Sequence, residues 1–434
     1  MSDFMLGLAG IGAMFGLMIL RMPVGMAMLA VGFFGTWIIN GSRSANALFL
    51  TETFSATSNY SLTIIPLFIL MGNIASVAGF SRALYDAAFA WVGRLPGGLA
   101  SASIVGCAAF SAVSGSSVAT AVTIGRVALP EMRRFGYSDG LAAGAVAAGG
   151  TLGFLIPPST GFVIYAILTE QSIGQLFMSG ILPGLLLTAL FMITVTLVTL
   201  RNPSAGPRGR AVPLGERFTV MARALPLIGV ILISIGGIYL GVFTPVEAAG
   251  IGAGLVVLMA FFGGKLTFQS TAKALSDTVR TTAMLYLIII GASVLNPFLS
   301  LTHVPATLGE VMSSAGFGPY GVLLLIVLAY LVLGMFMDGL AMLVVTIPIF
   351  YPIVTGLGFD PIWFGVIAVI MIEMGMITPP VGMNVFVVKG IAPDVPMSTI
   401  FRGVLPFWFA MLVCLGLIVL FPQIALLIPQ AMFQ

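Results

Sequence analysis

The chain has 434 residues, 59% of them hydrophobic and only 7% charged, with a formal net charge of +3. Soluble domains carry about 25% charged residues, so a polytopic membrane protein is the class that fits. The small net charge gives no reason to expect nucleic acid, and one histidine (His303) with two cysteines (Cys107 and Cys414) in apolar segments leaves little for metal or thiol chemistry.

The first apolar run follows Asp3 and precedes the first cation, Arg21. With no basic leader region it is not a cleaved signal; it predicts a first span, about 4–20, whose N-terminus faces away from the cytoplasm. Spans near 23–40 and 61–79 follow, each close to the roughly 20 residues a membrane helix needs. Ser81–Pro96, with Arg82, Asp86 and Arg94, reads as an amphipathic connector.

Residues 97–130 hold two apolar arms, too short for ordinary spans, joined by the polar stretch "SAVSGSSVAT". That is the pattern of a re-entrant hairpin, which is tolerated at membrane depth only where protein buries it or it lines a cavity. A broken span, about 141–167, then runs through "LIPPST", and a last span covers 177–200. Residues 1–200 form the first unit, and 201–223, "RNPSAGPRGRAVPLGERFTVMAR", form a basic linker that contains Arg210.

Residues 224–434 repeat the first unit at a shift of 222 positions. Pro23-Val24 meets Pro245-Val246, Pro130 meets Pro352, Gly136 meets Gly358, Gly153 meets Gly375, and Pro157-Pro158 meets Pro379-Pro380. The second hairpin falls at about 319–352 and the second broken helix at about 362–390. Five crossings and a hairpin are odd in number, so the second unit runs inverted, as in many secondary transporters. With the linker in the cytoplasm, all of the 17 cations except Arg43 and Arg126 fall on or near that side, as the positive-inside rule requires. Both termini then lie on the far side.

The breaks are where chemistry is expected. Two adjacent prolines remove backbone donors and free carbonyl oxygens. In hydrocarbon such oxygens need a ligand, and a hard cation supplies one. Nearby half-helix N-termini present positive dipole ends suited to an anion. The first tip offers Ser114, Gly115, Ser116 and Ser117 opposite Gly153, Ser159 and Thr160. The mirrored tip offers Asp338 and Gly339 opposite Glu373, Gly375, Thr378, Gly382 and Asn384. Acids inside apolar stretches are functional candidates, yet Asp338 also reads as a helix cap, Glu373 as a structural hydrogen-bond partner, and the serines as packing glue.

The stretches "LPGGLASASIVGCAAFSAVSGSSVATAVTIG", "LIPPST", "TPVEAAG", "GMFMDGLAML" and "FGVIAVIMIEMGMITPPVGMNVFVVKGIAP" make the chain resemble, over essentially its whole length, the large, DctM-like membrane subunit of tripartite ATP-independent periplasmic (TRAP) transporters. The resemblance implies an all-α, elevator-type importer of small organic anions, usually carboxylates, driven by sodium ions and using no other cofactor. It implies a bacterial inner membrane, a small four-helix membrane subunit, expected here as a separate chain, and a periplasmic substrate-binding protein. It points to Ser114, Gly115 and Ser116 with Gly153 and Pro157 for one sodium ion. Asp338 and Gly339 with Thr378 and Gly382 would hold the other. The substrate would lie near Ser117, Pro158, Ser159, Thr160, Pro380 and Asn384. Arg126 departs from the small or apolar residue the family suggests. It either snorkels to the membrane edge or meets a substrate carboxylate.

A stand-alone sodium–carboxylate symporter of the same inverted design stays open, and dependence on a soluble binding protein separates the two. A serine-nucleophile enzyme is disfavoured because Ser116 has no evident base and no G-x-S-x-G motif is present.

Overall fold

The computed structural model describes residues 2–209, 212–314 and 316–432, so Arg210 lies outside the described residues. The chain is all-helical among them. Helices α1 (Asp3–Ile19), α2 (Val24–Ser58), α3 (Ile64–Val77) and α4 (Phe80–Val92) come first. A hairpin follows, α5 (Gly98–Ser114) and α6 (Ser117–Arg134). Then comes a broken helix, α7 (Asp139–Gly150), α8 (Leu152–Leu155) and α9 (Thr160–Thr169), and the long α10 (Ile173–Arg201).

The second unit opens with α11 (Leu214–Tyr239), α12 (Pro245–Phe262), α13 (Phe268–Leu301) and α14 (Val304–Ser314). Its hairpin is α15 (Pro319–Gly334) and α16 (Gly339–Gly356), its broken helix α17 (Pro361–Gly375) and α18 (Met383–Ile391), and α19 (Met397–Leu420) and α20 (Gln423–Ala431) close the chain. Nine helical stretches among the described residues are long and apolar enough to cross a membrane, the broken stretch Asp139–Thr169 counted as one.

The elements of the two units coincide at the 222-position shift. Ser116 and Asp338 are the N-caps of the second hairpin arms, and Ser138 and Asp360 cap the two broken helices. Gly136 and Gly358, which turn the chain between them, take φ of 74° and 85°, a left-handed conformation nearly free only to glycine. Both Pro-Pro bonds are cis.

One expectation holds and one needs adjusting. The span predicted to stop near residue 40 does stop there: Gly41 takes φ of 81° and ψ of 168°, so α2 is two helices, about 24–40 and 42–58, and the second turns back on the first, with the Phe33 and Phe49 rings 5.9 Å apart. The basic linker is partly helical, because α11 begins at Leu214. Residues 202–209 cross the base of the first hairpin as a strap. Gly97 N–H donates to Gly206 O at 3.2 Å, and Ser138 N–H to Ala205 O at 2.9 Å. The Tyr137 hydroxyl donates to Pro207 O at 2.6 Å and accepts from Leu99 N–H at 3.1 Å. Replacing Tyr137 with phenylalanine strands the buried Leu99 N–H, a loss of about 1–3 kcal/mol. A fall in unfolding temperature with unchanged uptake is the expected result; an unchanged unfolding temperature would mean the strap holds nothing. On the same face Arg133 pairs with Asp394 at 2.8 Å and with Asp139 at 3.3 Å, joining the end of α6 to the loop after α18.

Packing divides the helices into two groups. α2 lies along α13, and α12 packs on α3; α7 lies along α19, and α6 packs on α7 and α18. The amphipathic α4 and α14 sit between the groups, α4 against α5 and α14 against α16. An apolar 18-residue window within the broken stretch Asp139–Thr169 is 83% buried, against 22% for the one within Leu214–Tyr239. The helices that carry the breaks therefore occupy the interior, and α11 turns Leu225, Leu232 and Ile233 outward, where a bilayer would cover them.

Candidate ion and substrate site

The first hairpin closes on the first break, backbone against backbone. α5 ends at Ser114, and Gly115 follows with φ of 59°. Gly115 O accepts from Thr160 N–H at 3.2 Å and from the Thr160 hydroxyl at 2.8 Å. A Cβ on Gly115 would lie 2.6 Å from Pro158 O, and one on Gly153 would lie 2.5 Å from both Ser116 C and Ser117 N. Two glycines thus let the tip and the break touch, which brings peptide oxygens of both segments into one small volume.

The hydroxyls around this contact are partly committed. Ser114 Oγ and Thr120 Oγ1 are 2.7 Å apart. Ser116 caps α6, accepting from Ala119 N–H. Ser159 caps α9 and donates to Phe154 O. Ser117 donates to Glu373 Oε1 at 2.5 Å, a bond between the two units.

The second tip is built differently. Asp338 Oδ1 accepts from Leu340 N–H at 3.0 Å and Ala341 N–H at 3.1 Å, so the capping role is real. Gly339 packs against Ile372 and Met376, and Gly334 crosses Gly375 with almost no space between the chains. Thr378 donates to Met374 O at 2.6 Å and accepts from Trp408 Nε1 at 3.1 Å. Gly382 takes φ of 60° beside Phe401.

A cavity of about 480 Å³ lies between the tips and the breaks. Ser114, Ser116, Ser117, Thr160, Asp338 and Gly339 line it, joined by Phe154, Met376 and Met383. Four helices start at its wall: α6 at Ser117, α9 at Thr160, α16 at Gly339 and α18 at Met383. No lysine or arginine lines it, so its positive potential comes from helix N-termini, each equivalent to about half a charge. Among the described residues on its wall, Asp338 alone carries a formal charge.

The expected residues that do not line the cavity fall into two sets. Gly115, Gly153, Pro157, Pro158 and Ser159 lie at the tip–break contact but not on the cavity wall. Thr378, Pro379, Pro380, Gly382 and Asn384 belong to the second break, and none of them lines the cavity. Arg126 is exposed on α6 and does not reach it. Among the lining residues that the sequence did not single out are Gly72 and Asn73 on α3 and Thr281 on α13. Asn73 donates to Thr278 at 2.9 Å, and a Cβ on Gly72 would lie 2.8 Å from Ser114 Cα. The signal for Asn73 was available, as an amide inside the apolar "IIPLFILMGNIASV".

A family model described as the DctM component of the tripartite ATP-independent periplasmic transporter matches residues 11–424. The chain is 37% identical over 381 residues to a C4-dicarboxylate TRAP transporter large permease protein of Pseudomonas aeruginosa, covering 87% of this chain and 88% of that one. It is 34% identical over 433 residues to a sialic acid TRAP transporter large permease protein of Vibrio cholerae, covering 97% and 98%. Among solved structures, the Alcanivorax borkumensis YdaH transporter, described as having an unusual topology, aligns with a TM-score of 0.61 over 89% of this chain and 90% of that one. At 17% identity that is a likeness of fold alone.

Proposed function

The chain belongs to the DctM-component family of tripartite ATP-independent periplasmic transporters, and we propose that it imports a small organic anion, a carboxylate in the class of C4-dicarboxylates, keto acids or sugar acids, coupled to sodium. The observation that carries this reading is the cavity where four helix N-termini meet one carboxylate. The helix starts suit an anionic substrate, while Asp338 repels it. A sodium ion beside Asp338 removes that repulsion, so the anion binds well only after the cation. By linkage the anion in turn tightens the binding of the cation by the same factor.

The ion sites are read as Ser114, Gly115 and Ser116 with Gly153 and Pro157, and as Asp338 and Gly339 with Thr378 and Gly382. The anion would lie between the tips, against Ser117, Thr160 and the break around Pro158 and Ser159. Pro380 and Asn384 would approach it from the second break. α3 and α13 supply one wall of the cavity and the hairpins with the broken helices supply the other. An elevator movement would slide the second group past the first, in an inverted repeat with both termini in the periplasm. The large C4-dicarboxylate and sialic acid permeases it resembles support a tripartite system in the bacterial inner membrane, with a small membrane subunit and a soluble periplasmic protein that delivers the substrate.

The test is uptake of labelled organic acids into proteoliposomes holding the chain with its small subunit. Uptake that needs both an inward sodium gradient and the binding protein is the expected result. Sodium-driven uptake without the binding protein would overturn the tripartite reading, and uptake indifferent to sodium would overturn the coupling.

A further inference from the structure

We propose that Glu373, Asn384 and Ser117 form a further cation site, separate from the two at the tips and breaks, and that it takes a single positive charge, a sodium ion or a proton. The inference rests on the reading of the chain as a cation-coupled importer. The three residues come from both units: Ser117 opens α6, Glu373 lies on α17 and Asn384 on α18. Each is at most 1% exposed.

Two oxygens there have no partner. Ser117 donates to Glu373 Oε1, and Glu373 Oε2 is buried without a hydrogen bond. Asn384 Nδ2 donates to Ala147 O at 3.4 Å, which fixes the amide and leaves Asn384 Oδ1, also buried, without a partner. Ser117, which bonds Glu373, and Asn384 meet at Gly150, where an added Cβ would lie 3.2 Å from Ser117 O and 3.3 Å from Asn384 Nδ2. The ion pairs among the described residues are both made by Arg133, so no basic side chain answers Glu373.

A buried carboxyl with one neutral donor is costly unless a cation or a proton completes it. An amide oxygen and a carboxylate oxygen are ligands a hard cation accepts, and either oxygen equally suits a proton. No group of three His, Cys, Asp or Glu residues occurs among the described residues, which argues against a soft or polyvalent metal. The site sits behind the cavity wall that Ser117 shares. Filling it would tie the first hairpin to the second broken helix, so that the two units close on the substrate together.

The full-length chain, purified in its membrane complex, is unfolded thermally across a pH series, with sodium chloride or choline chloride at one ionic strength. Wild type is compared with Glu373→Gln and Asn384→Ala. If sodium is the occupant, both variants raise the half-saturating sodium concentration by roughly tenfold or more, as lost ligation partners do, and Glu373→Gln lowers the cooperativity of the response. If the occupant is a proton, sodium responses stay as in wild type, and Glu373→Gln flattens the change of unfolding temperature with pH. Variants that reproduce the wild-type responses to both sodium and pH overturn the site. A wild type that ignores sodium but keeps a Glu373-dependent pH response would retain the site and overturn sodium coupling instead, so the two failures are distinguishable.

Discussion

Gly153→Ala is expected to raise the sodium concentration that half-saturates uptake by about fivefold to about a hundredfold, with the protein present in the membrane at its normal level. The added Cβ would stand 2.5 Å from two backbone atoms of the first tip, Ser116 C and Ser117 N. Neither can rotate away as a side chain would. Overpacking of this kind costs about 1–3 kcal/mol, and each 1.4 kcal/mol is about a factor of ten in an equilibrium. The strain falls on the tip–break contact rather than on the fold, because α8 stays packed on α5 and α10 while the tip lifts. Gly115→Ala should act in the same direction, since its φ of 59° is unfavourable to alanine and its Cβ would meet Pro158 O at 2.6 Å. Gly254→Ala is the control, having nothing within 4 Å. Sodium titrations of uptake decide the matter, and an unshifted titration in Gly153→Ala would remove the first tip and break from the ion site.

The breaks were legible in the sequence because proline acts locally. Two adjacent prolines cannot continue a helix whatever surrounds them, and their recurrence at one register marked both breaks and both hairpins. The hairpin tips were legible for the same reason, as polar or glycine residues set between short apolar arms. The second part of α2, beyond Gly41, was not legible as a helix. Asn40, Ser42, Arg43 and Ser44 make a polar start, and the stretch folds back on the first part of α2, where Phe49 meets Phe33 edge to face. The side of each break that faces the cavity was also hidden. Ser159 and Asn384 carry the expected chemistry, but Ser159 turns back to Phe154 O and Asn384 to Ala147 O. The bond from Ser117 to Glu373 spans 256 positions, and no periodicity or motif pairs residues at that distance.

The two roles of Asp338 can be separated by replacing it with asparagine. Asparagine is as good an N-cap as aspartate, so Asp338→Asn keeps the bonds to Leu340 N–H and Ala341 N–H and changes mainly the charge. Asp338→Ala removes both and should cost about 1 kcal/mol of stability through the cap alone. If the carboxylate only caps α16, Asp338→Asn transports normally and Asp338→Ala is merely less stable. If the carboxylate holds the coupling ion, Asp338→Asn loses sodium-driven uptake almost completely while its unfolding temperature in choline chloride stays near wild type. We expect the second outcome. Both cap bonds fall on Oδ1, so the cap leaves Oδ2 uncommitted on a residue that lines the cavity. In a site whose other walls offer only hydroxyls, amides and helix starts, that oxygen is the strongest cation ligand present. Removing the charge also removes the repulsion that makes anion binding wait for sodium. Asp338→Asn should therefore bind the anion without sodium more readily than wild type, even as it fails to accumulate it. Equilibrium binding measured in choline chloride is the direct check, and a variant that binds no better than wild type there would show that Asp338 does not link the two ligands.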